Sequence, residues 1–80
     1  MRIYQKQKVP KKGAHSLVRW MWHEINEQHA SQEDIARRSG VSSSAMRKWR
    51  AGDRSPRMFD FDAIAQTLGY KLTVRKIKDD

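Results

Sequence analysis

The stretch SQEDIARRSGVSSSAMRKWRAG, residues 31–52, constrains this chain more tightly than any other part of it. Ser31 precedes Gln32, Glu33 and Asp34, so a hydroxyl and two carboxylates stand where the unpaired N–H groups of a helix start need acceptors. Ile35 and Ala36 face inward from that helix, and Gly40 ends it, because a left-handed backbone costs glycine little. Val41 follows as an apolar plug, and Ser42 caps a further helix through Ala45, Met46 and Trp49 to a stop at Gly52. Two short helices joined by so tight a turn cross steeply, and Ala36 is small where they approach each other.

Around this pair the remaining apolar residues choose their own periods. Leu17, Val18, Met21, Trp22 and Ile25 fall within roughly 140° of a helical wheel, which predicts an amphipathic helix over 14–29. Trp20 projects outside that arc and is expected either bare or against another element or chain. Residues 53–56 read as a loop, after which Met58, Phe61, Ile64, Ala65 and Leu68 predict a fourth helix ending at Gly69. Asp60 and Asp62 lie in or near its first turn, where their charge suits the helix dipole. Leu72 and Val74 alternate with Lys71, Thr73 and Arg75, which predicts a half-buried strand over 70–77. A lone strand needs a partner, either residues 3–9 of the same chain or the equivalent strand of a second copy, and the second is preferred. The expected organisation is mainly α: a basic arm over 1–13, a four-helix domain over 14–69, and a strand and tail over 70–80 that dimerise, with Leu72, Val74 and Trp20 as interface residues.

Composition narrows the partners. Seventeen Lys and Arg against nine Asp and Glu give a net charge of +8, which favours a polyanion. The arm alone carries Lys6, Lys8, Lys11 and Lys12, with Lys11 and Lys12 candidates for phosphate contact. With no cysteine there is neither a disulfide framework nor a thiolate metal site, and a reducing compartment is the natural home. His15, His23 and His29 lack the spacing that aligns metal ligands on one helical face. No phosphate-cradling glycine loop and no nucleophile with a placed base is present, so neither an enzyme nor a cofactor is expected. No apolar run approaches the ~20 residues that span a bilayer, nor does the N-terminus carry the apolar core of a secretory signal; the expected location is cytoplasmic.

On a wheel of the third helix, Ala45, Met46 and Trp49 share one side, leaving Ser43, Ser44, Arg47 and Lys48 on the other. The major groove of B-DNA admits a helix, arginine and lysine reach guanine O6 and N7, and serine bonds several base edges, so Arg47 is the leading specificity residue. Gln32, the Ala36 and Gly40 pair, Val41-Ser42, Trp49, Gly52, Pro56, Ile64-Ala65 and Leu68-Gly69 together resemble the Cro and phage-repressor type helix-turn-helix proteins, the Xre family, over about half the chain. That resemblance implies a lambda-repressor-like fold in which Ser43, Ser44 and Lys48 touch bases, while Gln32, Ser42, Arg54 and Arg57 hold phosphates.

Two positions depart from the family. Arg50 stands where relatives commonly carry a glutamate, so the usual internal ion pair is missing, and Arg50 is expected on phosphate or on Glu24 or Glu27. Ser43 and Ser44 replace the longer amide side chains frequent in relatives, which shifts more of the reading to Arg47. The expected function is a transcriptional repressor that binds double-stranded DNA as a homodimer on an inverted repeat, with half-sites ~34–36 Å apart. The alternative is an antitoxin that neutralises a toxin and represses its own operon, since the chain length and the LGYKLTV ending resemble such proteins.

Overall fold

Four helices build residues 14–78, the part of the chain that the computed structural model describes: α1 (Ser16–Glu27), α2 (Gln32–Ser39), α3 (Ser43–Ala51) and α4 (Met58–Thr67). The expected basic arm, with Lys11 and Lys12, lies outside the described residues. Each helix begins and ends where a local hydrogen bond or a backbone preference dictates. Ser31 Oγ accepts the Asp34 N–H at 3.0 Å, and Ser42 Oγ accepts the Ala45 N–H at 3.1 Å, so both hydroxyls cap as the sequence predicts. Gly40 adopts φ +81° at the end of α2, and a Cβ there would meet no atom within 4 Å. The requirement for glycine is therefore one of backbone conformation alone, about 1–2 kcal/mol for any other residue. At the start of α1 the cap is His15, whose Nδ1 accepts the Leu17 N–H at 3.0 Å, a role its residue type did not suggest.

One core joins the helices. Met21, Trp22 and Ile25 of α1, Ile35 of α2, Met46 of α3 and Ile64 of α4 are completely buried, with Val41, Trp49, Phe61 and Leu68 around them. Asp34 pairs with Arg37 and Arg38 one turn on, and Arg38 also donates to the Thr67 carbonyl at 3.2 Å, linking α2 to the end of α4. Exposed pairs of this kind contribute at most about 1 kcal/mol. Burial of an isoleucine contributes about 1.5–3 kcal/mol, so Ile35 and Ile64 hold this part of the core more than the ion pairs do.

Met58, Trp20 and residues 70–77 each bear on an expectation from the sequence. Met58, counted in the apolar period of the fourth helix, is 82% exposed at the first position of α4, because its side chain lies beyond the apolar stripe that begins at Phe61. Trp20 takes the second of its two expected places, against another element: its ring meets that of Tyr70 edge-on at 5.0 Å between centroids and that of Phe61 at 6.2 Å. Finally, no strand forms over 70–77 among the described residues. Tyr70 is drawn onto α1 instead, its phenol donating to Glu24 Oε1 at 2.8 Å, a bond to a carboxylate that raises the phenol pKa above its usual value. Gln28 Nε2 donates to the Leu68 carbonyl at 2.8 Å beside it, and Leu72 packs on the core, while Val74 stays bare. The physical reason is that a strand needs a neighbouring extended backbone to supply its ladder, and residues 70–78 form no ladder with a described segment.

Candidate nucleic-acid interface

α3 is fixed from behind. Met46 is completely buried and Trp49 is 4% exposed, and because side chains three and four positions apart share a face, Ser44, Arg47 and Lys48 are thereby turned outward. Arg47 and Lys48 are exposed, and neither side chain makes a hydrogen bond or ion pair with a described residue. A nine-residue helix is ~13 Å long, comparable with the ~12 Å width of the major groove. Two cationic tips on a helix of this size, neither ion-paired with an acid among the described residues, present a charged edge that suits a polyanion.

Beside that edge runs a groove lined by Ser42, Ser44, Lys48, Arg54 and Arg57 together with Asp60. Five side chains expected from sequence to meet bases or phosphates thus converge, although they come from the cap of α3, its body and the loop after it. The loop is shaped by Gly52 at φ +84°, after which the Asp53 N–H donates to the Lys48 carbonyl at 3.0 Å. Arg54 is exposed at the mouth of the groove; Arg57 Nε lies 3.5 Å from Asp60 Oδ2, with the Arg57 side chain 88% exposed. That contact is too solvated to hold Arg57 against a phosphate, since surface pairs are worth at most about 1 kcal/mol.

Two candidates sit differently from the rest. Gln32 is 5% exposed, and its Nε2 donates to the Ser43 carbonyl at 3.0 Å and to Ser43 Oγ at 2.5 Å, stitching the start of α2 to the start of α3. Arg50 is half-buried: its guanidinium carbon lies 4.7 Å from the centroid of the Trp22 ring, and its NH1 is 3.5 Å from Gln32 Oε1. It thus meets neither Glu24 nor Glu27. The sequence reading missed Trp22 as its partner, because the two residues lie on different helices and nothing in the spacing pairs them.

The interface candidates Leu72, Val74 and Trp20 lie apart from α3's cationic edge. Leu72 shares with Leu17, Met58, Phe59 and Val74 the lining of an apolar groove between the starts of α1 and α4 and the C-terminal segment. Met58, Phe59 and Val74 are 82%, 86% and 99% exposed there, an unusual concentration for so small a chain. Among the described residues no group of three or more His, Asp or Glu is placed to hold a metal ion, and no helix is long and apolar enough to cross a membrane.

A family model described as helix-turn-helix matches residues 25–74, a span that takes in α2, the turn, α3 and α4. No curated protein sequence and no solved structure matches the chain.

Proposed function

The chain belongs to the Cro/C1-type helix-turn-helix (Xre) family of DNA-binding transcription regulators, and from that premise we propose that it is a repressor that binds an inverted repeat as a homodimer. The observation that carries the reading is the division of α3 into a buried face of Met46 and Trp49 and a free face of Ser44, Arg47 and Lys48. Arg54 and Arg57, with the Ser42 hydroxyl, take the phosphates and supply affinity by releasing counterions; Arg47 and Lys48, with Ser43 and Ser44, supply discrimination at base edges. Occupation of promoter DNA is the whole of the mechanism. Selection of bound fragments from random duplex DNA, followed by footprinting, tests it: a symmetric site with half-sites ~34–36 Å apart is expected, and recovery of no preferred sequence contradicts it.

A phosphate contact has its own signature. Arg54→Ala is expected to weaken binding on every sequence alike and to reduce the slope of log K against log salt by about one unit. An unchanged slope in a salt titration removes Arg54 from the phosphate-binding set.

The second copy is assigned to the apolar face of Leu17, Met58, Phe59, Leu72 and Val74. A single recognition helix reads one half-site, so an inverted repeat requires two copies, and bare apolar side chains grouped in one place are what a symmetric contact covers. The C-terminal segment then finds in its twin the neighbouring backbone it lacks alone. The paired substitution of Met58→Asp with Val74→Asp is expected to yield a monomer in sedimentation while leaving the melting temperature of the dilute protein unchanged, since both residues are almost bare. A variant that stays dimeric moves the interface elsewhere. In the antitoxin reading a toxin covers this same face, and the chain then co-purifies with a neighbouring gene product.

A further inference from the structure

Gln32, Ser43 and Arg50 form a relay whose polarity is fixed by chemistry. The Ser43 carbonyl only accepts hydrogen bonds and the Arg50 guanidinium only donates them. An amide lying between the two has one workable orientation: Nε2 toward Ser43, at 3.0 Å from its carbonyl, and Oε1 toward Arg50 NH1, at 3.5 Å. The opposite orientation sets oxygen against oxygen and N–H against N–H. Both hydrogens of the Gln32 amide are then committed, one to the Ser43 carbonyl and one to Ser43 Oγ at 2.5 Å. Arg50 is itself held in place by the face of Trp22, a completely buried ring 4.7 Å away.

The consequence falls on Ser43. Its hydroxyl carries one hydrogen and two lone pairs, and a lone pair is taken by Gln32. The hydroxyl hydrogen has no acceptor among the described residues, and Ser43 is half-exposed at the start of the helix proposed to enter the groove. Accepting a bond also polarises an O–H and makes it a better donor. We propose that Arg50 is a positioning residue which, through the Gln32 amide, presents Ser43 to the major groove as a hydrogen-bond donor, so that the base opposite Ser43 is chosen for an acceptor edge: purine N7, guanine O6 or thymine O4. The proposal rests on the reading of α3 as the recognition helix. It also gives Gln32 an internal task in place of the phosphate contact that family resemblance implies, since its amide has no hydrogen left to donate.

The test is selection of bound sequences from random duplex DNA with the full chain and four variants, each melted in parallel. Ser43→Ala is expected to flatten the preference at one base pair by about two- to tenfold, the range for a single net hydrogen bond. Arg50→Leu is expected to flatten that same base pair while binding to random DNA stays within about twofold, and Arg50→Lys, which keeps a cation on Trp22 facing Oε1, restores it. Gln32→Glu supplies a group that only accepts; it takes the Ser43 hydroxyl hydrogen and is expected to turn the preference toward donor edges, cytosine N4 or adenine N6. An Arg50→Leu profile identical to wild type while Ser43→Ala alters it overturns the relay. So does a uniform loss on all sequences, which instead makes Arg50 a phosphate contact. Should Arg50→Leu fail to fold, Gln32→Glu decides alone, and an unchanged acceptor preference there is equally fatal. Loss of all DNA binding by the wild-type chain sinks the functional reading itself, a result separable from any of these.

Discussion

Trp49→Ala is expected to lower the stability of the free protein by about 3–5 kcal/mol, the usual cost of truncating a buried indole. Trp49 is 4% exposed and sits next to the completely buried Met46, so its removal opens a cavity directly beneath the cationic helix. A chain of 80 residues is stable by roughly 4–12 kcal/mol in all, and the loss therefore consumes a large part of the total. At roughly 4–8 °C per kcal/mol for a domain of this size, the melting temperature followed by circular dichroism falls by roughly 12–40 °C. DNA binding falls with it, because Arg47 and Lys48 are presented only while the opposite face of α3 is anchored. A shift of a degree or two would mean that α3 is held by its neighbours in sequence and not by the core.

Arg47→Ala tests the other face of the same helix. The side chain is exposed and makes no hydrogen bond or ion pair with a described residue, so the melting temperature is expected to stay where it is. Affinity for the selected site is expected to drop by about 1–3 kcal/mol, roughly 5- to 150-fold, and the preference at one base pair to relax. On random DNA the loss is expected to be smaller, since a bidentate contact to guanine is replaced there by a general attraction to phosphate. Equal losses on both kinds of DNA would assign Arg47 to the backbone and leave the serines and Lys48 as the readers. Taken with Trp49→Ala, the pair separates what presents the helix from what the helix reads.

Arg50 illustrates how a departure from a family pattern is absorbed. Where the family resemblance implies a glutamate, this chain carries a guanidinium that lies over the Trp22 ring and still offers donors at its edge. The completely buried Trp22 ring carries an Nε1–H with no acceptor among the described residues, at a cost of about 1–3 kcal/mol. Burial of so large a ring in the centre of the core offsets that cost.

The elements whose causes are local were legible from residue types alone. Ser31 and Ser42 bond N–H groups three positions on, Gly40 and Gly52 answer a requirement of their own backbone, and the 3.6-residue period decides which side of α3 carries Met46 and Trp49. These effects act within about one helical turn, so the order of residues is sufficient to state them. From them came the four helices, the turn and an outward set of Ser43, Ser44, Arg47 and Lys48, of which Ser43 is half-buried and bonded to Gln32.

Tertiary structure decided the rest. Arg50 finds Gln32 across 18 positions of chain, and Tyr70 finds Glu24 across 46. Trp20 meets Tyr70, Met58 is left bare at the first turn of α4, and the alternating residues after Gly69 form no strand among the described residues. Each of these outcomes depends on which surfaces the core brings together and which it leaves uncovered. A periodic pattern states that a side chain has an apolar or a polar side to face; only the packed neighbours determine what it faces.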